Sequence, residues 1–353
     1  MVAEQAHGSI LAYAGRVVCP PVAIPGAGAR NQRRGPGRPC TGKRLLCSRR
    51  TERTISASTT RRTLLTAGAG AGAALLAAGP ARAAADTAAD TGAGSVAARL
   101  RDLESRHGAR LGVFAYNVRT RRRVRHRADE LFPVCSLFKT LAVAAVLRDL
   151  DASALDRRIH YTADDVVENS EITKDHVADG MTIAELSAAA IRHSDNTAGN
   201  LLLRELGGPA AITRFARSVG DRVTRLDRWE PELNSAEPGR TTDTTSPYAI
   251  ARTYARLVLG DALAPAGRRR LTDWMLGTVT SANRFRAGLP ADWTVADKTG
   301  GGWYGANNDA GIAWTPDGAP VVLAVQLTKP DREAPYDHAL IVETAEVLAA
   351  ALG

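Results

Sequence analysis

From residue 95 onward the apolar positions follow a helical period, then a strand period, a long helical stretch, strands again and a last helix. Ser95 to His107 places Val96, Leu100 and Leu103 on one face and stops at Gly108, which predicts an amphipathic helix packed on a sheet. Arg110 to Val118 alternates and is rich in β-formers, Arg119 to Arg121 can turn, and Val124 opens a second strand, so a hairpin follows. Between Cys135 and about Trp274 helical patterns dominate, and Leu137 to Leu147 is apolar on nearly every face, as in a helix buried inside a bundle. Trp293 to Lys298, Ala310 to Trp314 and Pro320 to Thr328 read as strands, the last two joined by a turn at Pro316-Asp317-Gly318, and Tyr336 to Leu352 as a closing amphipathic helix. Strands at both ends around a helical insert predict an α+β molecule. A mainly antiparallel sheet flanked by terminal helices (about 94–134 and 275–353) accompanies an all-α lobe (about 135–274), with the site in the cleft between them.

Charge changes the picture less than its total implies. The chain carries a formal +9, yet 13 of its 46 Lys and Arg and only 2 of its 37 Asp and Glu precede Ala84. The remainder holds 33 basic against 35 acidic residues, so a nucleic-acid partner is not expected. Three of the four cysteines, Cys19, Cys40 and Cys47, lie in the same N-terminal quarter, which excludes a disulfide framework in the folded part.

The first 57 residues, rich in Gly, Pro and Arg, read as an atypical basic extension absent from the mature protein, with translation starting inside it. Arg61-Arg62, the mildly apolar run to about Ala78 and Ala81-Arg82-Ala83 have the layout of a twin-arginine export signal spanning 58–85, cut near Ala83 to Ala85. The mature chain, 86–353, is therefore expected outside the cytoplasm, as a monomer without a membrane anchor. The histidines beyond the leader show no metal-ligand spacing, and Gly300-Gly301-Gly302 lacks the strand-to-helix context of a phosphate loop, so neither metal nor cofactor is expected.

Three short motifs carry the candidate chemistry. Ser136-Leu137-Phe138-Lys139 opens the buried helix, and the i, i+3 spacing puts a hydroxyl and an amine on one face. A serine near the positive end of a helix, beside a lysine in a dry bundle, is a nucleophile with a group to act on its proton. Ser194-Asp195-Asn196 lies between two helical patterns, and Lys298-Thr299-Gly300 ends a strand with Gly301 and Gly302 behind it. Alone, the first is an ordinary cap with a lysine, the second a solvated loop or helix cap, and the third a strand end.

Together, in this order, they resemble the signature S-x-x-K, S-D-N, K-T-G of active-site serine β-lactamases and penicillin-binding proteins. Arg228-Trp229-Glu230-Pro231-Glu232-Leu233-Asn234, in a stretch running to Asp243, resembles the Ω-loop of the class A β-lactamases and narrows the likeness to that family. The likeness runs from about Gly94 to Gly353. It implies hydrolysis of the amide of β-lactam antibiotics through an acyl-enzyme on Ser136. The oxyanion hole would be the N–H groups of Ser136 and Gly301, and Ser194 would pass a proton to the departing nitrogen. Lys139 and Glu230 both stand as candidates for the acylation base, and Glu230 with Asn234 would hold the water that releases the product. Asn196, Lys298, Thr299, Gly300 and Gly301 would bind substrate, Arg284 rather than Arg286 its carboxylate, and Arg228 with Asp243 would pin the loop. Two departures from the family stand out. Asn169 occupies a position often aromatic, and Cys135 precedes the nucleophile while Gly302 stands where some relatives place a pairing cysteine. The rival readings are a D-Ala-D-Ala peptidase or penicillin sensor of the same superfamily, which has no use for Glu230 and Asn234, and a non-catalytic penicillin-binding module.

Overall fold

The computed structural model describes residues 95–353. The basic extension, the twin-arginine motif, its cleavage region and the three leader cysteines lie outside the described residues. Helix α1 covers 95–106, with Leu100 and Leu103 buried. Strands β1 (Arg110–Asn117) and β2 (Arg123–His126) form the expected hairpin. Strands β7 (Thr294–Gly301), β8 (Asn307–Trp314) and β9 (Pro320–Thr328) complete a five-stranded antiparallel sheet of order β2-β1-β9-β8-β7. Arg110 faces Thr328 and Asn117 faces Val321, so the sheet is sewn together from the two ends of the described chain.

Two short ladders brace the intervening segment: β3 (Phe132–Pro133) with β6 (Thr244–Thr245), and β4 (Arg158–Ile159) with β5 (Met181–Thr182). The helices there are α2 (Phe138–Asp149), α3 (Ile183–Arg192), α4 (Asn196–Leu206), α5 (Ala210–Ser218), α6 (Pro247–Val258) and α7 (Pro265–Leu276). A single turn, α8 (Phe285–Gly288), precedes the returning strands, and α9 (His338–Leu352) closes the chain. Local chemistry sets the starts. Thr182 accepts from the Glu185 N–H at 3.1 Å while the Glu185 carboxylate accepts from the Thr182 N–H at 2.7 Å, a capping box that opens α3. Asp337 caps α9 through the Leu340 N–H.

The alternation along the strands sorts side chains onto two cores. Leu111, Val113, Val321, Leu323 and Val325 face α1 and α9. Phe114, Ile312, Val322 and Ala324 face the other way, into a second core continuous with Leu141, Leu186, Leu202 and Tyr254 of the helices. Each large apolar side chain fully buried there contributes roughly 1.5–3 kcal/mol. Helix α2 is buried from Phe138 to Val146, as its all-round apolarity predicts. Among the described residues, no helix is long and apolar enough to cross a membrane.

Candidate active site

Ser136 does not sit in the α-helix that its sequence pattern begins. It lies in a tight 3-10 turn, Cys135–Leu137, just ahead of α2. Cys135 takes a positive φ of 44°, which swings the chain out of the β3 ladder and delivers the serine to the mouth of the buried helix. Tyr254 of α6 props this turn by donating to the Leu137 carbonyl at 2.8 Å. The i, i+3 relation survives: Lys139 Nζ lies 3.0 Å from Ser136 Oγ.

Lys139 is wholly buried, and its side-chain nitrogen is ringed by oxygens. Beyond the serine it reaches the Ser194 carbonyl at 2.7 Å, Asn196 Oδ1 at 2.6 Å and Glu230 Oε1 at 3.0 Å. Ser136 Oγ also lies 3.4 Å from the same carboxylate oxygen. Nucleophile, amine and carboxylate therefore form one connected network, with two proton acceptors within reach of the hydroxyl.

The Ser194-Asp195-Asn196 run is a helix cap and a site at once. Asp195 caps α4 through the Ala198 N–H at 2.8 Å and also accepts from the Ile172 and Thr173 N–H groups, each at 2.9 Å. That pins the loop carrying Asn169, itself at φ 56°, a left-handed conformation that asparagine tolerates. With Asp195 fixed, Ser194 Oγ accepts from Lys298 Nζ at 2.9 Å. Lys298, within β7, is fully buried, and burial with the nearby charges of Lys139 and Arg284 holds its amine well below the usual lysine range. Strand β7 runs on through Lys298-Thr299-Gly300 to Gly301, because Gly300 and Gly301 pair with Asn308 and Asn307. It passes beside the nucleophile's turn: a Cβ on Gly300 would lie 3.3 Å from the Ser136 nitrogen.

Arg284 and Arg286 part company in the structure. Arg286 is consumed by Asp297 at 2.9 Å and by three backbone carbonyls. Arg284 is buried beside β7, held by Asn307 Oδ1 at 2.7 Å and the Thr280 carbonyl at 2.6 Å, and Thr280 in turn bonds Thr299. Burial lowers the affinity of its guanidinium for a proton. Among the described residues, no cluster of metal-ligating side chains occurs.

The loop carrying Glu230 is pinned at both ends. Arg228 Nε meets Asp243 Oδ2 at 2.6 Å, and Asp243 Oδ1 accepts from the Asp227 and Arg228 N–H groups at 2.7 and 3.0 Å. Asn234 Nδ2 donates to Glu230 Oε2 at 2.5 Å. Asn200 of α4, within a run the motifs did not interpret, grips the Glu230 backbone twice: its Nδ2 donates to the carbonyl at 2.9 Å and its Oδ1 accepts from the N–H at 3.0 Å.

The profile of the β-lactamase enzyme family matches residues 95–352, which takes in every one of these groups. The chain belongs to the class A serine β-lactamases. It is 61% identical to a β-lactamase of Streptomyces fradiae, over 83% of this chain and 96% of that protein. The solved structure of the β-lactamase from Streptomyces albus G covers 73% of this chain and 100% of its own, at 60% identity and a TM-score of 0.72. A class A β-lactamase described as the last common ancestor of Gram-negative bacteria superposes with a TM-score of 0.71 at 52% identity, covering 73% and 100%.

Within this β-lactamase the mouth of the cleft is a cavity of about 450 Å³ bounded by Asn169, Asn234, Gly301, Gly302, Trp303 and Tyr336. Trp303 is substantially exposed, and the Arg332 guanidinium stacks 3.9 Å from its ring centre. Trp303 and Tyr336 line this cavity together with Asn169. An exposed tryptophan directly after Gly301-Gly302 was the available signal for them. The glycines themselves are required by close approach: a Cβ on Gly301 would lie 2.9 Å from the Tyr336 phenol, and one on Gly302 would lie 2.5 Å from the Asn234 carbonyl. The latter would also sit 3.2 Å from the sulfur of Cys135, a buried free thiol whose proton burial strengthens.

Asp243→Ala strips a buried acceptor from three donors. Because Arg228 is about a quarter exposed and can turn to water, the expected loss is at the lower end for a broken buried pair, about 3 kcal/mol, or roughly 6–12 °C in Tm. Thermal unfolding followed by circular dichroism reads it. An unchanged Tm would show that the pair does not hold the loop.

Proposed function

We propose that the chain hydrolyses the amide bond of β-lactam antibiotics through an acyl-enzyme on Ser136, released by water that Glu230 activates. The observation that carries this is the placement of Glu230: its carboxylate lies 3.0 Å from Lys139 Nζ and 3.4 Å from Ser136 Oγ, on a loop clamped by Asn200 and Asn234. Ser136 Oγ attacks the lactam carbonyl and gives its proton to Lys139 or Glu230. The oxyanion that forms is met by the N–H groups of Ser136 and Gly301, and loss of one such donor typically costs about 100- to 1,000-fold in rate. Ser194, beside Lys298, passes a proton to the lactam nitrogen as the C–N bond breaks. Glu230 then takes a proton from water as its oxygen attacks the ester, and Ser136 is regenerated. Arg284, Lys298 and Thr299 hold the substrate carboxylate, and Asn196 its acylamide arm. A penicillin sensor of the same superfamily needs no such positioned carboxylate, so that reading is not favoured.

Multiple-turnover ring opening of a chromogenic cephalosporin by the purified protein is the expected result; stoichiometric labelling without turnover would overturn the reading. The same assay across pH carries a sign. Lys298 is charged below its pKa and neutral above it, and burial places that pKa below the ordinary 10.5. KM for an anionic substrate should therefore rise with pH, and do so below the pH at which ordinary lysines titrate.

We also propose that residues 58–85, with Arg61-Arg62 and Ala81-Arg82-Ala83, are an export signal and that the enzyme acts outside the cytoplasm. The N-terminal sequence of the exported protein should begin between Ala84 and Asp90, and recovery of Cys47 in it would overturn the assignment.

A further inference from the structure

The open edge of the sheet carries a concentration of charge that the reaction does not use. Six of the nine residues from Arg119 to Arg127 are arginine, and among the described residues only Arg119, Arg125 and Arg127 have carboxylate partners: Asp317 for the first, Asp129 for the second, Glu104 and Glu130 for the third. Strand register sets Arg123 opposite Tyr116 and Arg125 opposite Phe114, so these four side chains share one face of the hairpin. That face meets α6 across a groove of about 550 Å³, a size typical of small-molecule sites, which run from about 300 to 1,000 Å³.

The floor of the groove is aromatic. Phe114 and Tyr248 pack edge to face with ring centres 5.0 Å apart, and the Arg125 guanidinium stands 4.8 Å from the Tyr248 ring centre. The walls are cationic: Arg123, Arg125, Arg252 and Arg256 line it, with no carboxylate. Arg125 is engaged by Asp129 and Arg256 by the Val219 carbonyl. Arg252 reaches the Tyr248 hydroxyl at 2.8 Å and stacks on that ring, but neither it nor Arg123 forms an ion pair among the described residues. A concave aromatic floor under uncompensated guanidinium groups complements a ligand that is flat and apolar at one end and anionic at the other.

We propose that the groove between β1, β2 and α6 is a non-catalytic binding site for a small aromatic anion, its ring over Tyr116 and Tyr248 and its acidic group paired with Arg123 and Arg252. None of the lining residues belongs to the catalytic cleft.

The probe is 8-anilinonaphthalene-1-sulfonate, titrated by fluorescence into the full chain, with N-phenyl-1-naphthylamine as the same ring system without the anion. Exposed Arg123 and Arg252 can be changed without opening a core. Arg123→Ser/Arg252→Ser should weaken the sulfonate about tenfold or more, the scale expected for lost charge-assisted hydrogen bonds. Arg121→Ser/Arg122→Ser removes the same charge outside the groove and should change affinity less than about twofold, since exposed charges at a distance are screened. Ala255→Met, which fills the groove at constant charge, should also abolish binding and covers the case in which the double variant misfolds. Equal losses in the two arginine pairs would reduce the site to general surface charge and overturn the proposal. So would equal affinity for the uncharged amine, or competition between the probe and β-lactam turnover, which would place the ligand in the catalytic cleft.

Discussion

Glu230→Gln is expected to stall turnover at the acyl-enzyme, lowering kcat by about 100- to 10,000-fold, the range of a lost general base. The substitution is nearly isosteric, and the amide oxygen can still accept from Lys139, so the clamp by Asn200 on the backbone and the fold should persist. What disappears is the ability to take a proton from water held against the ester. Intact mass after a short exposure to a penicillin should show one equivalent bound, and peptide mapping should place it on Ser136. Unaltered turnover would remove Glu230 from deacylation.

Lys139→Ala should act one step earlier. Its side-chain nitrogen bridges Ser136, Ser194, Asn196 and Glu230, so truncation removes both a candidate base, which acts as the neutral amine, and the hub that sets their geometry. The acylation rate should fall by about 1,000-fold or more, within the range seen when one member of a nucleophile–base unit is deleted. Stability should fall by about 3–5 kcal/mol, because the Glu230 carboxylate is left buried and uncompensated. Stopped-flow acylation and urea denaturation read the two effects separately. Comparing the variants then assigns the acylation base: Glu230→Gln spares acylation if Lys139 takes the serine's proton and slows it as severely if Glu230 does. A Lys139→Ala enzyme that acylated at the native rate would exclude the lysine from the chemistry.

The site was legible wherever chemistry demands fixed residue types at short spacing. Ser136 with Lys139, Ser194 with Asn196 and Lys298 with Thr299 are each local in sequence, and the flanking periods place Ser194 between two helices and Lys298 on a strand, while Ser136 falls in the 3-10 turn ahead of its helix. Less legible were contacts made at a distance. Asn200 sits on an ordinary helix, and only the fold brings it to Glu230, 30 residues later. Arg332 and Trp303 are likewise 29 positions apart and meet through the turns that follow β7 and β9. The tight turn at Ser136 escaped because its cause, the left-handed backbone at Cys135, is a property of tertiary context rather than of a residue type favouring positive φ.

The core shared by the helices and the inner sheet face has a consequence for how the enzyme fails. Ser136 and Lys139, on the helical side, and Lys298, on the sheet, are set against one another by the same block of packed side chains, so neither half can loosen alone while the other keeps its shape. Melting should therefore be a single cooperative event. Activity should vanish in the same temperature interval as secondary structure, without a warm, folded but inactive intermediate.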